Sequence, residues 1–132
     1  MKKFGIVLLC CSVMAQVAST QSIVTYYVSP GGSDARSCTE ARSASTPKRT
    51  IRDAVQCLAA GATLLVRGGT YPEAIESAIA PGSSWDNKVR IAAYDGETVW
   101  LKPPAGPPWV ISLMQGQQFL EFDGINLDTT NA

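Results

Sequence analysis

The chain has 132 residues, with eleven basic side chains, eleven acidic side chains and no histidine. Its length is enough for one domain at most, and its balanced charge argues against nucleic acid or an anionic membrane surface as a partner. Of its four cysteines only Cys38 and Cys57 lie beyond residue 22, and with no histidine and no third thiol these two have no partner for nucleophilic catalysis or zinc binding.

Residues 1–22 have the three-part pattern of a secretory signal peptide. Two lysines precede an apolar run at 4–13, and small residues follow it. This run is too short to span a bilayer as a helix, and no other stretch is long enough to do so. The alternative is a lipoprotein signal that uses Cys10 or Cys11. We therefore expect a secreted or periplasmic protein, with residues 23–132 as the mature domain and no membrane partner after cleavage.

Cleavage leaves two cysteines, Cys38 and Cys57, and a net charge of about −2 by residue count. In an oxidising compartment, two remaining cysteines favour a disulfide over two free thiols. The bond would close a loop of about 20 residues and contribute roughly 3 kcal/mol by restricting the unfolded chain.

The mature chain begins with a strand pattern and continues into a surface loop. Residues 23–29 are rich in β-branched and aromatic side chains, and Pro30 and two glycines follow them. Residues 33–48 have little periodicity and many small polar side chains, which is typical of a loop.

A short amphipathic helix is predicted next. Thr50 is a suitable N-cap with Asp53 three positions later, and Gly61 is predicted to end the helix. Cys57 falls away from the apolar stripe, towards the loop that contains Cys38. The stripe consists of residues at helical spacing: Ile51, Ala54, Val55, Leu58 and Ala59.

Every later apolar run has the length of a strand. The runs are separated by glycine, proline and aspartate turns and lie at 63–66, 74–79, 89–93, 98–101, 109–114, 119–122 and 125–127. Aligning Leu64, Val89 and Val110, or Val99 with Leu120, predicts a repeat of about 21 to 25 residues, as in one coil of a solenoid. A β-sandwich would have similar strands but no reason for an isolated helix near the start.

Four segments in order carry a family resemblance. They are Tyr-Tyr-Val-Ser-Pro-Gly-Gly-Ser-Asp at 26–34, Pro-Lys-Arg-Thr-Ile at 47–51, Leu-Leu-Val-Arg-Gly-Gly-Thr-Tyr at 64–71 and Ile-Ala-Ala-Tyr-Asp-Gly-Glu at 91–97. Together they resemble the N-terminal region of secreted right-handed parallel β-helix proteins of the pectate-lyase-like superfamily. The resemblance runs from about residue 26 to 126. One departure is Ala62, where such proteins usually have aspartate.

The resemblance implies an all-β solenoid: a right-handed parallel β-helix with an N-terminal capping α-helix, of which only the first coils are present. Family members act on acidic polysaccharides as lyases, hydrolases or epimerases, with catalytic groups on the outer face of middle coils. We therefore expect the capping portion of an exported carbohydrate-active protein whose catalytic coils are absent from this chain. The full-length protein would be lyase-like and use calcium, whereas this chain would be inactive, with no catalytic residue and no cofactor.

Two alternatives remain open at this point. One is a non-catalytic solenoid that binds or adheres to carbohydrate, and the other is an inactive truncated fragment. Polysaccharide is the expected partner in every interpretation except that of an inactive fragment.

Glu121 and Asp123 are the candidate metal ligands. Strand alternation with Leu120 and Phe122 places both carboxylates on the outer face of one coil, near Asp128. Carboxylates in this arrangement suit calcium binding or acid–base catalysis. The competing interpretation is ordinary turn chemistry, since Asp123 precedes a glycine.

Basic and aromatic side chains supply the remaining candidates. Arg67, Arg90 and Lys102 would bind substrate carboxylates or act as a base in a lyase, unless they simply form a solvated strand face. Trp85 and Trp109 lie beside loops and are the candidates for stacking on sugar rings. Trp100 is in the middle of a strand and is as consistent with the core as with a surface.

Overall fold

The computed structural model describes residues 22–76 and 79–132. Of the predicted signal peptide, only Ser22 is among them; Cys10 and Cys11 of the lipoprotein alternative lie outside the described residues, as do positions 77 and 78 of the run at 74–79. The described part contains no helix long and apolar enough to cross a membrane.

Short strands dominate the structure. They are β1 (Thr25–Val28), β2 (Thr63–Val66), β3 (Gly69–Tyr71), β4 (Ile75–Glu76), β5 (Val89–Ala93), β6 (Val99–Leu101), β7 (Ile111–Ser112), β8 (Leu120–Asp123) and β9 (Ile125–Leu127). The helical parts are one α-helix, α1 (Ile51–Ala54), and 3₁₀ turns at Glu40–Arg42, Val55–Cys57, Trp85–Asn87 and Tyr94–Gly96.

The strands form three parallel sheets. Sheet A has the order β1-β2-β5-β8, sheet B the order β3-β6-β9, and sheet C pairs β4 with β7. The chain visits the sheets in the same order each time, so that β2–β4 form coil 1, β5–β7 form coil 2, and β8 and β9 form coil 3. Because every pair of strands is parallel, the β-sandwich alternative, which requires antiparallel sheets, is wrong.

The predicted repeat length and register are also wrong. Leu64 pairs with Ile91 rather than Val89, and Val99 pairs with Ile125 rather than Leu120. Residues paired in register between coils 1, 2 and 3 are 26 positions apart for Val99 and Ile125 and up to 36 apart for Ile75 and Ile111, instead of 21 to 25. The loops between strands differ in length, so matching apolar residues at one fixed spacing aligned the wrong strands.

Strand β3 was not predicted, because the glycine pair at positions 68 and 69 is typical of a turn. Gly69 has a φ of 145°, a conformation that glycine adopts without strain, and it lets the chain bend from sheet A into sheet B. Thr70 then faces solvent, whereas Tyr71 enters the core at 2% exposure.

Thr50 caps α1 as predicted, because its hydroxyl oxygen accepts a hydrogen bond from the backbone N–H of Asp53 at 3.2 Å. The predicted helix end at Gly61 is wrong. The helical conformation ends at Cys57, and Leu58 is already extended with a ψ of 144°. With the backbone extended from Leu58 onwards, the Leu58 side chain is buried. Ala59, which was predicted to lie on the apolar stripe, is exposed.

The core lies between the three sheets and beneath α1. In β1 and β2, buried side chains alternate with partly exposed ones, as expected of strands with one covered face. Buried side chains of α1 and the following turn, Ile51, Ala54 and Val55, belong to the same apolar cluster. The predicted disulfide is confirmed: Cys38 and Cys57 are bonded, with their Cα atoms 5.4 Å apart.

Candidate functional site

A polar cluster joins α1 to the rest of the molecule. The buried carboxylate of Glu73 accepts hydrogen bonds from the backbone N–H groups of Ile51 and Arg52, both at 2.8 Å. Burial raises the pKa of Glu73 above 4.5, and the two N–H groups offset only part of this effect. Glu73 therefore fixes the start of the helix against coil 1.

Asp34 holds the residues that precede the helix. Its carboxylate accepts hydrogen bonds from the backbone N–H groups of Arg49 and Thr50, both at 2.9 Å. Partial burial raises the pKa of Asp34, but these hydrogen bonds outweigh it and the net pKa is lowered. The ammonium group of Lys48, which is 6% exposed, donates to the Arg36 carbonyl oxygen at 2.6 Å and to Asp53.

The sequence alone does not identify Asp34, Lys48 and Glu73 as a cluster, because their partners are distant along the chain. Hydrogen bonds to Asp34 and Glu73 cross 15 to 22 positions. The only available signal was the position of Asp34 and Lys48 within two of the family-like segments. All three side chains are engaged with the backbone, so the cluster has a structural role.

A second set of charged groups connects neighbouring coils on their outer faces. Glu121, a predicted metal ligand, bonds to Lys88 at 2.6 Å and to Arg90 at 2.7 Å, and Asp123 also pairs with Arg90. Hydrogen bonds from Lys88 and Arg90 lower the pKa of Glu121. Within 22–76 and 79–132, no group of three or more His, Cys, Asp or Glu side chains is arranged to hold a metal ion. Calcium binding by Glu121 and Asp123 stays a prediction.

The other predicted cations are paired in the same way. Arg67 bonds to Glu97 at 2.9 Å and also lies over the Tyr94 ring, 4.6 Å from its centroid. Lys102 bonds to Asp128 at 2.9 Å. Hydrogen bonds to carboxylates raise the pKa of both Arg67 and Arg90, which disfavours either guanidinium as a general base.

Trp85 lies in the 3₁₀ turn before β5 and is 64% exposed. Its ring meets the ring of Phe119 edge-on, with centroids 5.5 Å apart and an interplanar angle of 88°. This contact orients the indole while leaving most of its surface open to solvent.

Trp109 lies before β7 and is 42% exposed. Its indole N–H donates to the Glu76 carboxylate at 3.3 Å, and Glu76 pairs in register with Ser112 across sheet C. The hydrogen bond fixes the orientation of the ring, so Trp109 is an anchored aromatic surface beside the Glu76 carboxylate.

Trp100 is on the surface, which resolves the ambiguity of the sequence. Its neighbours in β6, Val99 and Leu101, are both fully buried, whereas Trp100 is 43% exposed and points away from the core. The exposed tryptophans therefore all lie at coil 2: Trp85 before β5, Trp100 in β6 and Trp109 before β7.

Comparison with solved structures gives a match to a chain described as the complex structure of XylC with xylose. The two chains are 28% identical, with a TM-score of 0.51 over 58% of this chain and 11% of the XylC chain. This chain therefore spans only a small part of the XylC length. No protein-family model and no curated protein matches the sequence. The likeness supports a parallel β-helix fold of the pectate-lyase-like kind.

Proposed function

We propose that this chain forms the N-terminal cap and first coils of a right-handed parallel β-helix that binds carbohydrate on its outer surface. The observation that carries the proposal is the pair of oriented, exposed indoles at Trp85 and Trp109. The fold also supports the proposal, since it resembles that of XylC, a protein whose structure was determined with xylose.

The physical basis is stacking. One face of a pyranose ring presents C–H groups, which pack well on the flat apolar surface of an indole. Binding sites for small ligands combine such apolar surface with a few placed polar groups. Trp109 has this composition, because Glu76 and Ser112 lie in the adjoining strands of sheet C.

The capping role is supported by the position of α1 and the polar cluster. Residues 29–58 pass over β1, where Lys48 bridges to Val28, and the helix buries Ile51 and Ala54. A solenoid needs such a cover because the end of its stacked core is otherwise exposed to water. Export is supported by the Cys38–Cys57 disulfide, since such bonds persist in oxidising compartments.

For the sugar, the geometry favours a neutral unit over the acidic polysaccharide that the family resemblance implies. The three cations predicted to bind the carboxylates of an acidic sugar, Arg67, Arg90 and Lys102, each bond to a carboxylate of the chain. Lyase activity on acidic polysaccharide stays a hypothesis for a longer protein that contains these coils.

Affinity electrophoresis of the full chain tests carbohydrate binding. Gels containing xylan, soluble cellulose, polygalacturonate or alginate should retard the wild-type protein in at least one case. Trp85→Ala and Trp109→Ala should each reduce the retardation. If no polysaccharide retards the wild-type chain, the proposed function is wrong.

Leu113→Ala is the matched control. Leu113 is 46% exposed and follows β7, as Trp109 precedes it, but it has no aromatic ring. Retardation should be unchanged in this variant. Equal losses in Leu113→Ala and Trp109→Ala would indicate general stickiness rather than stacking and would contradict the proposal.

A further inference from the structure

The outer face of sheet B places Trp100 between two polar side chains. Trp100 pairs in register with Thr70 of β3 on one side and Asn126 of β9 on the other. Neighbouring strands lie about 4.8 Å apart, so the three side chains form one row across the sheet. All three are exposed.

The two flanking side chains have hydrogen-bonding groups to offer a ligand. The Asn126 amide donates to the Val99 carbonyl oxygen at 3.0 Å, which fixes the side chain and leaves its Oδ1 as an acceptor. The Thr70 hydroxyl has no hydrogen-bond partner among the described residues. An aromatic face with a hydroxyl on one side and an amide oxygen on the other matches the C–H face and the peripheral hydroxyl groups of a sugar ring.

The charges beside this row determine what kind of sugar fits. Lys102 follows β6 and bonds to Asp128, which follows β9, at 2.9 Å. Asp128 also accepts a hydrogen bond from the backbone N–H of Thr130 at 2.9 Å. Hydrogen bonds from Thr130 and Lys102 lower the pKa of Asp128, so the carboxylate stays ionised and holds the ammonium group. A sugar carboxylate would have to compete with Asp128 for Lys102.

We infer that Trp100, Thr70 and Asn126 form a binding subsite for one uncharged pyranose unit of a polysaccharide, on the outer face of sheet B. The ring stacks on Trp100, and its hydroxyl groups bond to Thr70 and Asn126. This inference rests on the proposed carbohydrate-binding function and adds to it a separate subsite, built from named residues, for the neutral unit.

Titration calorimetry of the full chain with xylohexaose, cellohexaose and hexagalacturonate tests the subsite. Wild type should bind at least one of the neutral oligosaccharides more tightly than hexagalacturonate. Trp100→Ala should weaken binding of that sugar roughly tenfold, because it removes the stacking surface. Thr70→Ala and Asn126→Ala should each weaken it by a smaller factor. Leu113→Ala is the control and should bind as wild type does.

The outcomes separate this inference from the proposed function. If Trp85→Ala or Trp109→Ala weakens binding and Trp100→Ala does not, carbohydrate binding stands and the subsite is wrong. Tighter binding of hexagalacturonate than of both neutral sugars would overturn the neutral class. Absence of binding to all three sugars would overturn the subsite, and the retardation experiment would then decide the proposed function. Should Trp100→Ala not fold, the Thr70 and Asn126 variants decide, and unchanged affinity in both would contradict the subsite.

Discussion

The two ends of the stacked core differ in how well they exclude water. Tyr26, Leu64, Ile91 and Phe122 occupy equivalent positions in the four strands of sheet A. The first three are 7%, 0% and 1% exposed, whereas Phe122 in coil 3 is only partly buried. The layers at the α1 end are therefore well buried, whereas the layer at Phe122 in coil 3 is not. We expect the chain to unfold locally from coil 3 before it opens beneath α1.

The largest effect is expected from truncating a buried leucine that follows α1. Leu58 is 5% exposed and belongs to the core cluster, so Leu58→Ala should reduce the free energy of unfolding by about 2–5 kcal/mol. Part of this loss is the transfer of apolar groups to water, and part is the cavity that remains. Urea denaturation followed by circular dichroism measures it.

Leu127→Ala is the matched control at the other end. Leu127 pairs with the buried Leu101 but is itself 47% exposed, so the same truncation should cost about 1 kcal/mol. Equal costs for the two variants would show that coil 3 is as well covered as the helical end.

Removing the disulfide should have the next largest effect. Cys38 and Cys57 are separated by 19 positions, and opening this loop should cost about 3 kcal/mol. The double variant Cys38→Ser, Cys57→Ser and the wild type in reducing agent should lose similar amounts, and hydrogen exchange should accelerate at residues 29–58. Faster exchange confined to coil 3 would contradict this assignment.

The sequence predicted the fold wherever the signal was local. The structure contains the parallel sheets that the family resemblance implies, the Thr50 cap, and strands β2, β5 and β9 at their predicted bounds. The helix end, β3 and the register were wrong, because they depend on which side chains the other coils cover. The disulfide was predictable because Cys38 and Cys57 are the two cysteines outside the predicted signal peptide.

The candidate site was predictable only in part. Sequence analysis named Trp85 and Trp109, and the structure leaves both exposed, but nothing in the sequence placed Trp100 outside the core. The carboxylates Glu121 and Asp123 were expected on an outer face, yet their basic partners, Lys88 and Arg90, are contributed by another coil. Such pairs require the register, which the sequence did not supply.

A smaller and pH-dependent effect is expected at Glu73. Glu73→Gln leaves one N–H group at the start of α1 without an acceptor and should cost about 1–3 kcal/mol at pH 4. Because burial raises the pKa of Glu73 above 4.5, its protonated form stabilises the fold below that pH. This contribution is lost as the pH rises through the raised pKa, since ionisation is then less favourable in the folded state than in the unfolded state.

The advantage of the wild type over Glu73→Gln should therefore shrink as the pH rises from 4 to 8. Urea denaturation of both proteins across this range isolates the contribution of Glu73, because the other carboxylates titrate equally in the two proteins. A difference in stability that stays constant with pH would show that the carboxyl group of Glu73 does not titrate differently on folding.

The smallest effect is expected from the ion pairs that join the outer faces of coils 2 and 3. Arg90→Gln removes the partner of Asp123 and one of the two partners of Glu121, but water surrounds these groups and Lys88 still bonds to Glu121. Its stability loss should be smaller than that of Leu127→Ala and should shrink in 1 M NaCl, where exposed charges are screened over about 3 Å. Denaturation of wild type and variant at low and high salt measures both quantities. The expectation is contradicted if the stability loss exceeds that of Glu73→Gln, or if salt leaves the loss unchanged. Either result would mean that coil 3 depends on its ion pairs as strongly as the α1 end depends on its buried polar cluster.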